Sequence, residues 1–564
     1  MTTYGSFNTK HLYTSLGDSF KNFAYLVEYN NRNSDGFMDI DYSSKKTGFD
    51  ANDYVAKFRL NTDSDARVYQ SLTMKLQYSE DDSQETYLGL TEADFKLDPY
   101  RRYLGSNEDN LKTDHFQLMA THLIRPLENL NITTKAYRNT FSRNWYKLDA
   151  VNLGTTSVSI SNIMLDPVKY ANEYNAINGN TNTISNALRV KANNRKYESQ
   201  GIQSVGNYKF NTGKTKHDIE LGFRYHEDYE DRYQWVDGYA INNKFMNKTN
   251  NGVGGSDSNR IQSAKSFATH ILYNLTVADF VFTPGLRNED ITITNKEYGK
   301  SDPNRTGNKL VTIENYSNVW IPGMGVLYNI NDNYKVFASI HKGFSPPGAK
   351  DGEDAEKSVA TEFGFRMNKN AFTSEVVIYN NNFSNLQGAD TMSGGGSGTG
   401  DLFNAGEANV YGLEFTASYD VLSKSNVFRF PIALSYTYTN TELRSNFISP
   451  SWGTVKYGDE IPFIAKNQIA LTANLEHKKF SLALNARQIG EIRTRAGQGE
   501  IPEIYRIDDN FIIDFAAKYH LTNKVSFTSN IINLLDSDKA VAKTPAGLRP
   551  SHPFGINVGI VAQF

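Results

Sequence analysis

Apolar and polar residues alternate along much of this chain, in runs of about ten, the length a tilted strand needs to cross a bilayer. In Ser71 to Tyr78, Leu72, Met74, Leu76 and Tyr78 interleave with Ser71, Thr73, Lys75 and Gln77, so one face of the strand is greasy and the other polar. Gln468 to Glu476 and Phe480 to Arg487 repeat the pattern with Ile469, Leu471, Ala473, Leu475 and then Phe480, Leu482, Leu484, Ala486. Only His477, Lys478 and Lys479 join those two runs, which makes them antiparallel neighbours.

The connections between such runs alternate in length. Short ones are predicted at Gly17-Asp18-Ser19, Asn331-Asp332-Asn333 and Leu521-Thr522-Asn523-Lys524. Residues 32–52, 81–113, 147–198, 236–262, 298–316, 388–408 and 535–554 are long, rich in Asn, Asp, Gly and Ser, and without sustained apolar periodicity. Short turns on one side and long polar excursions on the other predict an all-β fold, a transmembrane antiparallel up-and-down β-barrel spanning residues 1–564 as one domain. About 21 full strands can be counted, and the strand before the first short turn runs toward the short-turn side. With both ends of the barrel on that side the strand number is even. Met1 to Tyr4 is then the stub of the first of about 22 strands, and that first strand is truncated. The last strand is the clearest: Ile556, Val558, Ile560, Ala562 and Phe564 share a face, and the chain stops on an aromatic ring. A soluble propeller or sandwich also alternates, but with shorter strands and loops not sorted by length.

Composition agrees with the barrel. Mean hydropathy is −0.54, yet 34 Tyr and 33 Phe bring the aromatic share to 13%, and Gly (41) far outnumbers Pro (15). In a barrel only every second residue faces lipid, and aromatic girdles mark both interfaces. A net charge of −3, from 59 basic and 62 acidic residues, supplies no positive field for a nucleic acid. The lack of cysteine removes disulfides, thiolate metal sites and cysteine nucleophiles. No run reaches the ~18 apolar residues of a membrane helix, and TTYGSFNT after Met1 is no signal segment, so an export signal is expected to have been removed.

Several motifs, in order, carry a resemblance. Residues 334–348, YKVFASIHKGFSPPG, are followed by Glu356-Lys357-Ser358 and Glu362-Phe363-Gly364-Phe365-Arg366, then YNNNFSNLQ from Tyr379 to Gln387, NVYGLE from Asn409 to Glu414 and NIINLLD from Asn530 to Asp536. This order and spacing resembles the barrel of the TonB-dependent outer-membrane receptors. Thr86 to Tyr103, TYLGLTEADFKLDPYRRY, is similar to a long-loop motif of their ferric-citrate branch. The resemblance implies a multi-pass, monomeric barrel in the bacterial outer membrane, in contact with its lipid. It further implies a ferric chelate as cargo, no cofactor of the barrel's own, and energy from the TonB-ExbB-ExbD complex relayed through an N-terminal plug. Plug and TonB box have no counterpart in this sequence and are expected upstream of it, so the barrel supplies the capture step. Locally, Pro346 and Pro347 lack amide donors and end ladder pairing, and Gly412 marks a bend or a close approach.

Face parity turns Lys75, Glu220, Arg224, Glu362, Arg366 and Arg487 into the lumen, because their strand neighbours on the other face are apolar. In the family the plug fills the lumen, so these six are expected to form a wall and plug-docking network. A citrate-bound ferric ion is anionic, and the planar fork of arginine suits carboxylates. Arg101, Arg102, Arg143, Arg493 and Arg495, with Gln387 at the end of YNNNFSNLQ, are therefore the ligand candidates near the outer mouth, against a background of merely solvated loop charges. Arg493 and Arg495 share the parity of Arg487 if the strand continues that far. The ten histidines are scattered, which argues against direct iron or haem ligation. Asp81-Asp82 and Asp351 to Glu356 are acidic loops without a defined calcium-ligand pattern. Gly394 to Gly398 is a flexible loop rather than a nucleotide cradle, and no nucleophile elbow or phosphate loop occurs in a matching context, so an enzyme is not expected. Two other classes remain open: a passive outer-membrane pore, and a receptor of the same family for a vitamin, haem or sugar.

Overall fold

The computed structural model describes residues 1–349, 353–389, 402–449 and 451–564. Its main body is a closed barrel of 22 antiparallel strands. In chain order these are β1 (Thr2–Gly5), β2 (Thr9–Ser19), β3 (Phe23–Ser34), β4 (Phe49–Asn61), β5 (Tyr69–Ser83), β6 (Asn110–Leu127), β7 (Leu130–Asn152) and β8 (Leu188–Thr212). There follow β9 (Thr215–Asn242), β10 (Ser258–Val277), β11 (Phe280–Glu297), β12 (Val311–Asn329), β13 (Tyr334–Ser345), β14 (Glu356–Lys369), β15 (Phe372–Ala389) and β16 (Leu402–Asp420). The last six are β17 (Pro431–Leu443), β18 (Asn467–His477), β19 (Phe480–Ile489), β20 (Asn510–His520), β21 (Val525–Ile532) and β22 (Gly555–Ala562). Each strand pairs with its sequence neighbours, and β1 closes the ring by pairing Thr2 with Ile560 and Gly5 with Asn557. Strand β1 has four residues against eleven in β2.

The alternation sets which face meets lipid. Leu72, Met74 and Leu76 on β5, and Val558 and Ile560 on β22, are all exposed on the outer wall. Tyr29, Tyr54, Tyr78 and Phe116 stand in register on four adjacent strands. Phe20, Phe23 and Tyr25 stack near the short-turn end. These are the two aromatic girdles of a membrane barrel.

Short turns have identifiable causes. The Asn331 side chain accepts from the backbone amides of Asn333 (2.9 Å) and Tyr334 (3.1 Å); the Thr522 hydroxyl does the same for Lys524 and Val525. Side-chain-to-backbone bonds of this kind hold a tight turn without further support. The first turn differs from the expectation by one step. Gly17 pairs with Leu26 inside the ladder, and the chain reverses at residues 20–22, where the Phe20 amide donates to the Phe23 carbonyl (2.7 Å). Glycine and aspartate suggested the turn, but the stacked rings of Phe20 and Phe23 at the interface fix it.

Above the membrane the strands run on. β7, β8 and β9 have 23, 25 and 28 residues, so much of 147–198 and 236–262 is ladder rather than loop. Outside lipid neither face must be apolar, and the backbone pairing persists where the period-two signal has gone.

The buried apolar core lies in the loops rather than in the barrel wall. Tyr103, Leu104, Leu148, Ile160, Ile163, Ile177 and Leu188 are at most 2% exposed and form one cluster. Short helices α1 (Glu92–Leu97), α2 (Ile160–Leu165) and α3 (Ala171–Ile177) belong to this cap. The Thr91 and Ser159 hydroxyls cap α1 and α2 by accepting the amides of Asp94 and Asn162. The loop before β22 joins in, with Leu90 bridged to Leu548 and Lys543 ion-paired with Glu92.

Candidate ligand-capture site

Cross-strand register builds the site. Arg143 on β7 stands opposite Arg195 on β8, Arg195 opposite Arg232 on β9, and Arg232 opposite Arg260 on β10. Directly paired residues point the same way, and Phe223 and Tyr225 occupy the lipid face of β9, so all four guanidinium side chains belong to the inner face. Like charges directly opposite one another destabilise a sheet. The rung is balanced in part by Glu230, whose Oε1 lies 3.0 Å from Arg195 Nη1 and 3.0 Å from Arg232 Nε.

The electrostatic crowding is visible in the proton affinities. Burial works against the Glu230 charge, but Arg232, then Arg195 and Arg260, overcome it and hold the carboxyl below its usual range. Burial pulls the Arg232 guanidinium down; Glu230 opposes this, while Arg195 and Arg260 add to the fall. A second anion would relieve both.

Beside the rung is a cavity of about 660 Å³ lined by Arg195, Arg260, His115, Phe141 and Tyr197 together with the carboxylates of Glu198, Asp228, Glu230 and, from the segment between β13 and β14, Glu353. Phe141 and Tyr197 pack at 5.8 Å, and the Arg143 guanidinium lies over the Tyr197 ring at 5.9 Å. The Arg143 Nε is buried with no hydrogen-bond partner among the described residues. The arrangement offers planar donors and aromatic faces to an anion of small-molecule size.

The six lumen candidates are spread around the wall. Lys75 donates to Gln77 and Gln117 (2.7 Å each), and Glu220 accepts from Asn207 and contacts His270 (2.9 Å each). Arg224 donates to the Tyr137 hydroxyl (3.0 Å), Ser339 donates to Glu362 (3.4 Å), and Arg366 pairs with Glu375 while lying over the Phe337 ring. Arg487 stands in register with Ala470 and Ile512. The outer-mouth candidates do not converge either. Arg101 binds Asp41, Asp94 and Asn178, all within the cap. Arg102 is 4% exposed and donates to the Gln84 carbonyl (2.6 Å). Gln387 donates to the Asp354 carbonyl (2.8 Å). Strand β19 ends at Ile489, so the parity continued from Arg487 does not reach Arg493 and Arg495. Arg493 belongs instead to a separate two-residue pairing with Arg506, is 4% exposed, and donates to the Gly499 carbonyl (2.8 Å); Arg495 lies over the Tyr505 ring at 5.0 Å. Of the twelve, Arg143 alone stands in the rung.

Arg195, Arg232 and Arg260 lie in charged stretches such as EDYEDRYQW, where no apolar period assigns a face. Only the register between strands reveals them. Asp351 and Gly394 to Gly398 lie outside the described residues. Among the described residues no group of three His, Cys, Asp or Glu could hold a metal ion.

A closed wall of strands with a lipid face, two girdles and long loops on one side defines a membrane β-barrel of the outer-membrane kind. Residues 100–534 match the family described as TonB dependent receptor-like, beta-barrel, and the chain belongs to that family. Among solved structures it is similar to the ferric citrate transporter FecA in its unliganded form, with a TM-score of 0.75 and 16% identity over 99% of this chain and 77% of that one. The siderophore receptor PiuA from Acinetobacter baumannii gives 0.75 and 14% over 100% and 81%. The ferric yersiniabactin uptake receptor FyuA from Yersinia pestis gives 0.71 and 12% over 100% and 79%. At these identities the likeness concerns the fold.

Proposed function

We propose that this barrel captures an anionic ferric chelate at the outer surface for uptake energised through TonB, with ferric citrate as the first candidate. The observation that carries this reading is the rung of Arg143, Arg195, Arg232 and Arg260 beside a cavity large enough for a small chelate. Carboxylates laid across adjacent guanidinium forks replace repulsion between like charges with charge-assisted hydrogen bonds. The chelate is cargo and not a cofactor. The TonB-ExbB-ExbD complex is the proposed energy partner, acting through a plug domain.

Arg143 is the place to test it, because its guanidinium has no ion pair among the described residues and its loss strands no carboxylate. Arg143→Gln is expected to weaken ferric dicitrate binding by about tenfold or more, the scale of one charge-assisted contact. Uncharged ferric hydroxamates should bind weakly to both forms. Titration of the purified receptor by tryptophan fluorescence reads this. Equal ferric dicitrate affinity in the two forms, or tighter binding of the neutral chelate, overturns the reading.

A further inference from the structure

A second concavity opens on the opposite side of the wall, toward lipid. It has a volume of about 830 Å³ and lies across β12 to β17. Its floor is Met324, Ile340 and Val359, exposed by 45%, 53% and 45% on the lipid face. Its upper border carries Lys342, Lys357 and Arg444. Register confirms the face: Ile340 pairs with Met324, Lys342 pairs with Val359, and Lys357 stands two residues from Val359 on the same side of β14.

The height of these cations is also fixed. Tyr334 stacks on Phe365 at the short-turn end of β13, and Lys342 follows eight residues later in that strand. At ~3.3 Å per residue and a tilt of ~40°, Lys342 stands ~20 Å above that girdle, with Lys357 a rung higher. An apolar band of ~25 Å places both at the outer rim, where acyl chains meet head groups.

Several other basic groups on or above the outer face are neutralised in place. Arg138 pairs with Glu198, Lys265 with Glu227, and Arg305 with Asp231. In the groove, Arg444 contacts Glu442 at 3.4 Å and keeps a buried Nε without a partner among the described residues, and Glu407 stands nearby. The Lys342 and Lys357 ammonium groups have neither an ion pair nor a hydrogen bond among the described residues. Solvent-exposed interfacial lysines that merely snorkel need no groove beneath them.

We propose that this groove binds a phosphorylated lipid of the outer leaflet, with an acyl chain on the Met324, Ile340 and Val359 floor and a phosphate between Lys342 and Lys357. Three cations against two carboxylates match a head group of multiple negative charge, and the floor continues the lipid-facing band without a break. Each basic residue near a membrane surface contributes about five-fold to the affinity of an anionic lipid, so two lysines contribute about 25-fold.

The test is native mass spectrometry of the detergent-solubilised receptor with lipid A as probe. The expected result is one saturable adduct, weakened about five-fold in Lys342→Gln and in Lys357→Gln and about 25-fold in the double variant, with a similar loss for dephosphorylated lipid A. Heat-modifiable migration checks that each variant is folded. Arg143→Gln, which alters the inner face, should leave the adduct unchanged, so failure here is separable from failure of the chelate reading. The proposal is overturned if the folded double variant keeps its adduct, if removal of the phosphates has no effect, or if millimolar inorganic phosphate displaces the lipid.

Discussion

Single residues in this barrel are constrained chiefly by their neighbours across the sheet. A Cβ on Gly412 would come within 1.9 Å of the Tyr438 backbone oxygen and 2.7 Å of the Tyr379 hydroxyl. The close approach read from the NVYGLE motif is real, and a backbone oxygen cannot swing aside. Gly412→Ala is therefore expected to cost about 1–3 kcal/mol, read as a lower midpoint of heat-modifiable migration. A midpoint equal to that of the parent protein would show that β16 and β17 can part at no cost. Asp109 lies in the cap, wholly buried, accepting from the Leu148 amide (2.7 Å) and the Thr86 hydroxyl (2.5 Å). Burial pushes its carboxyl up to about 6, against the pull of Thr86 and Arg102. A folded-state value raised above the unfolded 3.8 means that the native cap binds this proton more tightly. The contribution is complete below about pH 4 and is lost as pH rises through about 6, at most about 3 kcal/mol. Protection factors for hydrogen exchange across 84–109, which remove the intrinsic rise of exchange with pH, should thus fall from pH 4 to 7. In Asp109→Asn, which can accept from Leu148 and donate to Thr86, that part of the slope should vanish.

At the scale of elements, the sequence was most legible where lipid forces a period of two. The runs at Ser71 to Tyr78, Gln468 to Glu476 and Phe480 to Arg487 are strands with the expected faces, because a single slip would turn a whole row of apolar side chains into the lumen. Legibility stopped at the membrane edge. The upper halves of β7, β8 and β9 carry charge on both faces, and the four-arginine rung is a relation between strands that no single segment contains. The cap was invisible for another reason: helices of six and seven residues are too short to show a period. It is nonetheless a folded element, and Arg101 is its tie. The guanidinium binds Asp41, Asp94 and Asn178, from three different loops, and is 29% exposed. Arg101→Ala should leave Asp94 without its cation and loosen the cap by about 3–5 kcal/mol. Limited proteolysis should then cut within 84–109 and 153–187 while the barrel still migrates as folded. Unchanged cleavage would mean that the apolar cluster holds the cap alone.

Across the whole molecule, a TM-score of 0.75 coexists with 16% identity to a relative of the same shape. Here the wall is held by backbone pairing, and the residues along each strand belong by turns to two audiences, lipid outside and water inside. The alternation described at the outset therefore interleaves two messages in one string. Inward letters can be rewritten without disturbing the outward letters that keep the protein in its membrane, and the outer face can be retuned for a different lipid while the inner text stands. An architecture of this kind separates heredity of place from heredity of purpose, so one face of the wall can change while the other stands.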